Sequence, residues 1–140
     1  MVLCRMSNEV NPSLHSPLVL AYIGDAVYEV FTREKILAEC PNLPAHKLHK
    51  ANVHYVRAKA QSNAMAVIEP ILKEDELAIF KRGRNAKSGT VPKNADLVEY
   101  RRATGFEALI GYLHLKKDFE RLNEIMEMAF RSSEDKKQEE

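Results

Sequence analysis

The chain reads as an all-α protein on three observations. Apolar residues recur at helical spacing along most of its length. No run of four or more residues alternates cleanly, and only three threonines occur in 140 residues, so strands have little support. Prolines and capping residues punctuate the periodic segments, where helices start and stop.

Ser16-Pro17 is an N-cap followed by proline at the first helical position, and it opens a helix through Val19, Tyr22, Val30 and Ile36 to about Glu39. The segment Cys40-Pro41-Asn42-Leu43-Pro44 stops it. A second helix is expected from Ala45, with Leu48, Val53, Val56, Ala60 and Met65 spaced for one buried face, until Pro70 breaks the run. A short helix follows from Lys73 to about Arg82, with Leu77 and Phe80 inward. Gly83 to Pro92 clusters glycine with polar residues and reads as the one long loop. Asp96-x-x-Glu99 resembles a capping box and starts a helix to about Leu115. A last helix, Asp118 to about Phe130, carries Phe119, Leu122, Ile125, Met126 and Ala129. The expected organisation is an N-terminal segment 1–15, one domain over 16–130 and a charged, disordered tail 131–140.

Composition narrows the function classes. The chain is 45% hydrophobic and 29% charged, which suits one globular domain rather than a disordered chain. Two cysteines, Cys4 and Cys40, exclude a disulfide framework and read as free thiols in a reducing compartment. No stretch is long enough to span a bilayer and no signal peptide is visible, so a cytoplasmic location is expected. Lysine plus arginine number 21 against 20 acids, so any charge signal must be local.

Two acids interrupt apolar helices. Asp25 lies within Leu20-Ala21-Tyr22-Ile23-Gly24-Asp25-Ala26-Val27-Tyr28, and Glu107 within Thr104-Gly105-Phe106-Glu107-Ala108-Leu109-Ile110-Gly111. Either acid alone fits the solvent edge of its helix. Both stand beside small residues that permit close helix approach. Carboxylates about 5 Å apart would repel by roughly 3 kcal/mol at an effective dielectric near 20, which a proton or a hard divalent cation such as Mg2+ would offset.

The basic signal lies in residues 81–102, with seven cations against Asp96 and Glu99. Such a run alone is as readily plain solvated surface, but it lies between the helices of Asp25 and Glu107. Lys81, Arg82, Arg84, Asn85, Lys87, Ser88 and Lys93 are therefore the candidate contacts to an RNA backbone. A duplex is the expected substrate, because an A-form helix is read by shape and the chain has no tryptophan for stacking. The segment from Ala45 adds His46, Lys47, His49, Lys50, Arg57 and Lys59. His46 and His49 are one turn apart, but the pattern lacks the glutamate of a zinc-protease motif, and phosphate or solvent contact suits it better.

The run AYIGDAVYE resembles the signature segment of ribonuclease III, and FEALIGYLHL resembles that family's second acidic helix. Val56 to Asn63 resembles its middle helix. The likeness covers roughly residues 15–130 and leaves no room for a double-stranded-RNA-binding domain, which with the KRGRNAK loop resembles the short Mini-ribonuclease III branch. The resemblance implies a helical endonuclease domain acting as a homodimer on double-stranded RNA. It further implies Mg2+, with Mn2+ as a substitute, 5′-phosphate and 3′-hydroxyl products, and maturation of precursor 23S ribosomal RNA. Asp25 and Glu107 match the family's acids and would hold the metal. Three further family acids are replaced, by Ala21, Thr104 and Ala64. Thr104 can substitute only through a water, while Asp96 and Tyr100 share the face of Glu107. A catalytically degenerate duplex-RNA-binding module is the alternative these departures leave open.

Overall fold

A computed structural model describes residues 10–87 and 90–139, with side chains described through Lys136; Cys4, Ser88 and Gly89 lie outside the described residues. Within them the fold is all-helical, with α1 Pro17–Glu39, α2 Ala45–Val56, α3 Ala58–Ile68, α4 Glu74–Asn85, α5 Leu97–Leu115 and α6 Phe119–Glu139. Short 3-10 turns cover Pro12–Leu14 and Glu69–Ile71, the second at the Pro70 break.

α5 is the centre. Its buried residues include Ala103, Phe106, Ala108, Leu109 and Gly111, which point to all sides of the helix, and α1, α3, α4 and α6 pack around it. Tyr28, Met65, Ile68, Phe80 and Ile125 reach it from those helices and form one core, with Tyr28 edge-on to Phe106 at 4.9 Å. A smaller cluster of Ile36, Tyr55 and Phe130 joins the far ends of α1, α2 and α6, where Tyr55 stacks on Phe130 at 4.2 Å. A buried ion pair ties α4 to α6. Glu76, only 1% exposed, accepts two hydrogen bonds from Arg121 at 2.8 and 2.9 Å and one from the Lys73 amide. Burial alone would raise the Glu76 carboxyl, but Arg121 and the Lys73 amide outweigh it and hold the carboxyl below its ordinary value.

The caps appear where expected: the Ser16 hydroxyl accepts from the Val19 amide and the Asp96 carboxylate from the Glu99 amide. Four details differ from the sequence reading. The helix from Ala45 breaks at Arg57, whose backbone is extended, so Asn52 and Tyr55 turn inward while Val53 faces solvent. On α1, Val19, Tyr22 and Val30 are exposed, the last two by 77% and 56%; the core face is Leu20, Gly24, Tyr28, Thr32 and Ile36. Gly83, Arg84 and Asn85 belong to α4 rather than to a loop, because Gly83 is buried against α5. α6 continues past Phe130 to Glu139, because Ser133 is buried and its carbonyl accepts a 3.0 Å hydrogen bond from His54 Nε2. Among the described residues no helix is long and apolar enough to cross a membrane.

Candidate active site

Two glycines decide where the acids lie. A Cβ on Gly24 would stand 1.7 Å from the carbonyl oxygen of Glu107, and one on Gly111 would stand 1.9 Å from that of Leu20. α1 and α5 therefore cross backbone to backbone, closer than any side chain allows. Asp25 follows Gly24 and Glu107 lies one turn before Gly111, so the crossing brings the two carboxyls together.

Asp25 is exposed and Glu107 half-buried, so the site opens to solvent from one side. Burial, then a hydrogen bond to Asp25 and the charge of Asp25, raise the Glu107 carboxyl to about 9. Glu107 thus holds the shared proton at neutral pH and donates it to Asp25. The Gln61 amide, 3% exposed on α3, hydrogen-bonds Glu107 and works in the opposite direction.

Glu29 lies one turn beyond Asp25 on α1, and its charge also raises Glu107. A chain of buried groups fixes it: Thr32 donates to Asn52 Oδ1 at 2.6 Å, and Asn52 Nδ2 donates to Glu29 Oε2 at 2.7 Å. Arg33 pairs with the same oxygen at 3.0 Å. Neither Gln61 nor Glu29 was singled out in the sequence. The available signal was a long polar side chain, Gln61, at a core register among Ala60, Ala64, Met65 and Ile68.

The other sequence candidates divide. The Thr104 hydroxyl donates to the Tyr100 carbonyl at 3.0 Å, which spends its proton within the helix and leaves its oxygen to accept. Asp96 caps α5, and the Tyr100 hydroxyl donates to the Thr90 carbonyl at 3.3 Å. Lys81, Lys87, Asn85 and Lys93 are exposed. Arg82 binds the carbonyls of Ser13 and His15 at 2.8 and 3.1 Å, and so fastens the N-terminal turn. Arg84 sits over the Phe80 ring and donates to Asn85 Oδ1. Gly83 meets Thr104, Gly105 and Ala108, so the basic end of α4 lies against the level of α5 that carries Glu107. Ser88 falls outside the described residues.

The donor set fits a small hard divalent cation. Two carboxyls that meet only by sharing a proton can exchange it for such an ion, and one that keeps most of its waters needs few protein ligands. Asp25 and Glu107 would hold it. Among the described residues no three His, Cys, Asp or Glu side chains converge on one point, and His46 and His49 are both exposed.

Residues 18–118 match the ribonuclease III domain family. The chain is 50% identical to a Clostridium tetani protein named Mini-ribonuclease 3, over 89% of this chain and 83% of that one. It is 54% identical to the Mini-ribonuclease 3 of a Thermoanaerobacter strain, over 81% of this chain and 80% of that one. The crystal structure of a protein from Fusobacterium nucleatum superposes with a TM-score of 0.76 at 33% identity, covering 84% of this chain and 93% of that one. The acidic crossing of α1 and α5 lies within the matched region, and the chain belongs to the ribonuclease III domain family, in which it is an endoribonuclease.

Proposed function

We propose that the chain is a Mg2+-dependent endoribonuclease of double-stranded RNA, with Asp25 and Glu107 as its metal-holding catalytic acids. The observation that carries this is the meeting of two carboxyls from distant parts of the chain at a glycine–glycine helix crossing. Mg2+, when bound, supplies Lewis-acid stabilisation of charge developing on the phosphoryl oxygen. Asp25 offers a solvent-facing carboxylate, and Glu107 yields its proton as the cation binds. Gln61 fixes the Glu107 carboxyl, and Asn52 fixes Glu29 beside it. Lys81, Lys87 and Lys93, with Arg84 and Asn85, grip the RNA backbone from the end of α4 and the following loop. Water attack at phosphorus would leave a 5′-phosphate and a 3′-hydroxyl, and Mn2+ would serve in place of Mg2+.

The substrate we infer is the duplex stalk of precursor 23S ribosomal RNA in the cytoplasm, as the resemblance to the short ribonuclease III branch implies; the relatives named Mini-ribonuclease 3 support the ribonuclease part of that reading. A second copy of the chain completes the working unit. α1 leaves Val19, Tyr22, Val30 and Leu37 exposed along one side, which is the apolar face a homodimer would cover.

The test is cleavage of a labelled RNA duplex by folded wild type and Asp25→Asn, with Mg2+ and with EDTA. Wild type should cut only with the metal, and Asp25→Asn should be at least a hundredfold slower while still binding the duplex. Near-wild-type cutting by the variant removes the catalytic assignment. Duplex binding by wild type with no cleavage under any metal would favour the degenerate binding module, which the alanines at positions 21 and 64 also suit.

A further inference from the structure

Residues 40–68 carry a second charge anomaly that the nuclease chemistry leaves unused. The segment holds Lys47, Lys50, Arg57 and Lys59 and no aspartate or glutamate, in a chain whose cations and acids otherwise balance at 21 and 20. Midway along it the backbone turns extended at Arg57 and separates α2 from α3. There α2, α3 and the C-terminal part of α6 bound a cleft of about 140 Å3, lined by His54, Arg57, Lys59, Asn63, Ser132 and Lys136. No carboxylate lines it, and every one of those side chains can donate a hydrogen bond.

The neighbouring acids of α6, Glu134 and Asp135, do not line the cleft. Glu134 hydrogen-bonds Glu39, and Asp135 lines an adjoining groove that shares Ser132 and Lys136 with this cleft, so Lys136 stands between the cleft and that one acid. The His54 Nε2 hydrogen is given to the Ser133 carbonyl, so the ring is a fixed wall of the cleft. A water takes about 30 Å3 in the liquid, so the space suits a few waters or one tetrahedral anion. Arg57 caps α3 one turn before Gln61, whose backbone amide bonds the Arg57 carbonyl, which sets the cleft about 6 Å along the helix axis from the side chain that touches Glu107. Lys47 and Lys50 are exposed and share by helical spacing the face of α2 that carries His54, so an extended polyanion fits the cleft better than an isolated ion.

We propose that this cleft is a phosphate-binding subsite, separate from the Lys81–Lys93 segment, that takes a backbone phosphate of the RNA duplex through Arg57, Lys59 and Lys136. The proposal rests on the duplex-nuclease reading above.

The experiment compares wild type, Lys59→Glu/Lys136→Glu and the charge-keeping Lys59→Arg/Lys136→Arg, each first shown to melt at the same temperature. Duplex affinity is measured without metal across a salt series, and amide shifts are followed with inorganic phosphate alone. Charge reversal should weaken duplex binding at least tenfold and reduce the slope of log affinity against log salt by about 2. The arginine pair should retain both, and phosphate alone should shift the amides of residues 57–60 and 132–136 only at high concentration. A charge-reversed protein that keeps wild-type affinity and slope overturns the subsite, even if free phosphate binds there tightly. A wild type that neither binds nor cuts duplex overturns the underlying reading instead, and takes the assignment of the cleft to RNA with it.

Discussion

In an unfolded chain Glu107 would ionise near the ordinary glutamate value, about 4.3, whereas in the fold burial and the adjoining Asp25 hold its proton up to about 9. Between those values the folded state binds the extra proton, so stability present at low pH is lost as pH rises through that interval. Glu76 works the other way. Its carboxyl lies below the ordinary value, so the stability it contributes is present at neutral pH and lost on acidification. Metal-free protein should therefore be less stable at pH 8 than at pH 6, and Glu107→Gln, which keeps a donor toward Asp25, should flatten that difference in thermal melts recorded in EDTA. An unchanged slope in the variant would mean that the pair does not share a proton. Mg2+ should restore alkaline stability to wild type and not to Glu107→Gln.

At the scale of the element, the two helix crossings on α5 depend on missing side chains. Gly24→Ala would drive a methyl into the Glu107 carbonyl, so α1 and α5 must separate. A destabilisation of about 2–3 kcal/mol, with loss of cleavage beyond what the reduced folded fraction explains, is the expected outcome in paired denaturation and single-turnover assays. The end of α5 offers the opposite case. Lys117 holds φ 65° where glycine is usual, while its amide and that of Asp118 bond back to the carbonyls of His114 and Leu113. Lys117→Gly should raise the unfolding midpoint in urea by the equivalent of about 0.5–1 kcal/mol, since αL is strained for any residue with a Cβ. These elements also mark what was legible in the sequence. The starts at Ser16 and Asp96 were readable, because a cap is a local hydrogen bond between neighbours. The break at Arg57 was not, because no proline or glycine marks it and the contacts that bury Asn52 and Tyr55 lie far apart in sequence. The pairing of Asp25 with Glu107 was readable as an anomaly of two acids beside glycines. Gln61 and the Glu29 network were not, since only the folded packing shows what a polar side chain in the core touches.

At the scale of the molecule, α1 is apolar on more sides than one chain can cover. Its inner face packs on α5, while Tyr22 and Val30 remain outside. Stable association needs roughly 1,200–2,000 Å2 of total buried area, and in the homodimer proposed above this helix would supply the apolar centre of that surface. Tyr22→Glu combined with Val30→Glu should convert the protein from dimer to monomer in sedimentation experiments without changing its helix content; a wild type that sediments as a monomer would remove the interface. The placement of α5 has a consequence for biogenesis. Every helix that packs on α5 except α6 is translated before it, and 76 residues separate the end of α1 at Glu39 from the end of α5 at Leu115. At the usual 5–20 residues per second this leaves α1 without its partner for on the order of 4–15 s on the ribosome. The greasy first helix of the nascent chain is then exposed to chaperones, and Asp25 cannot meet Glu107 until the central helix has emerged.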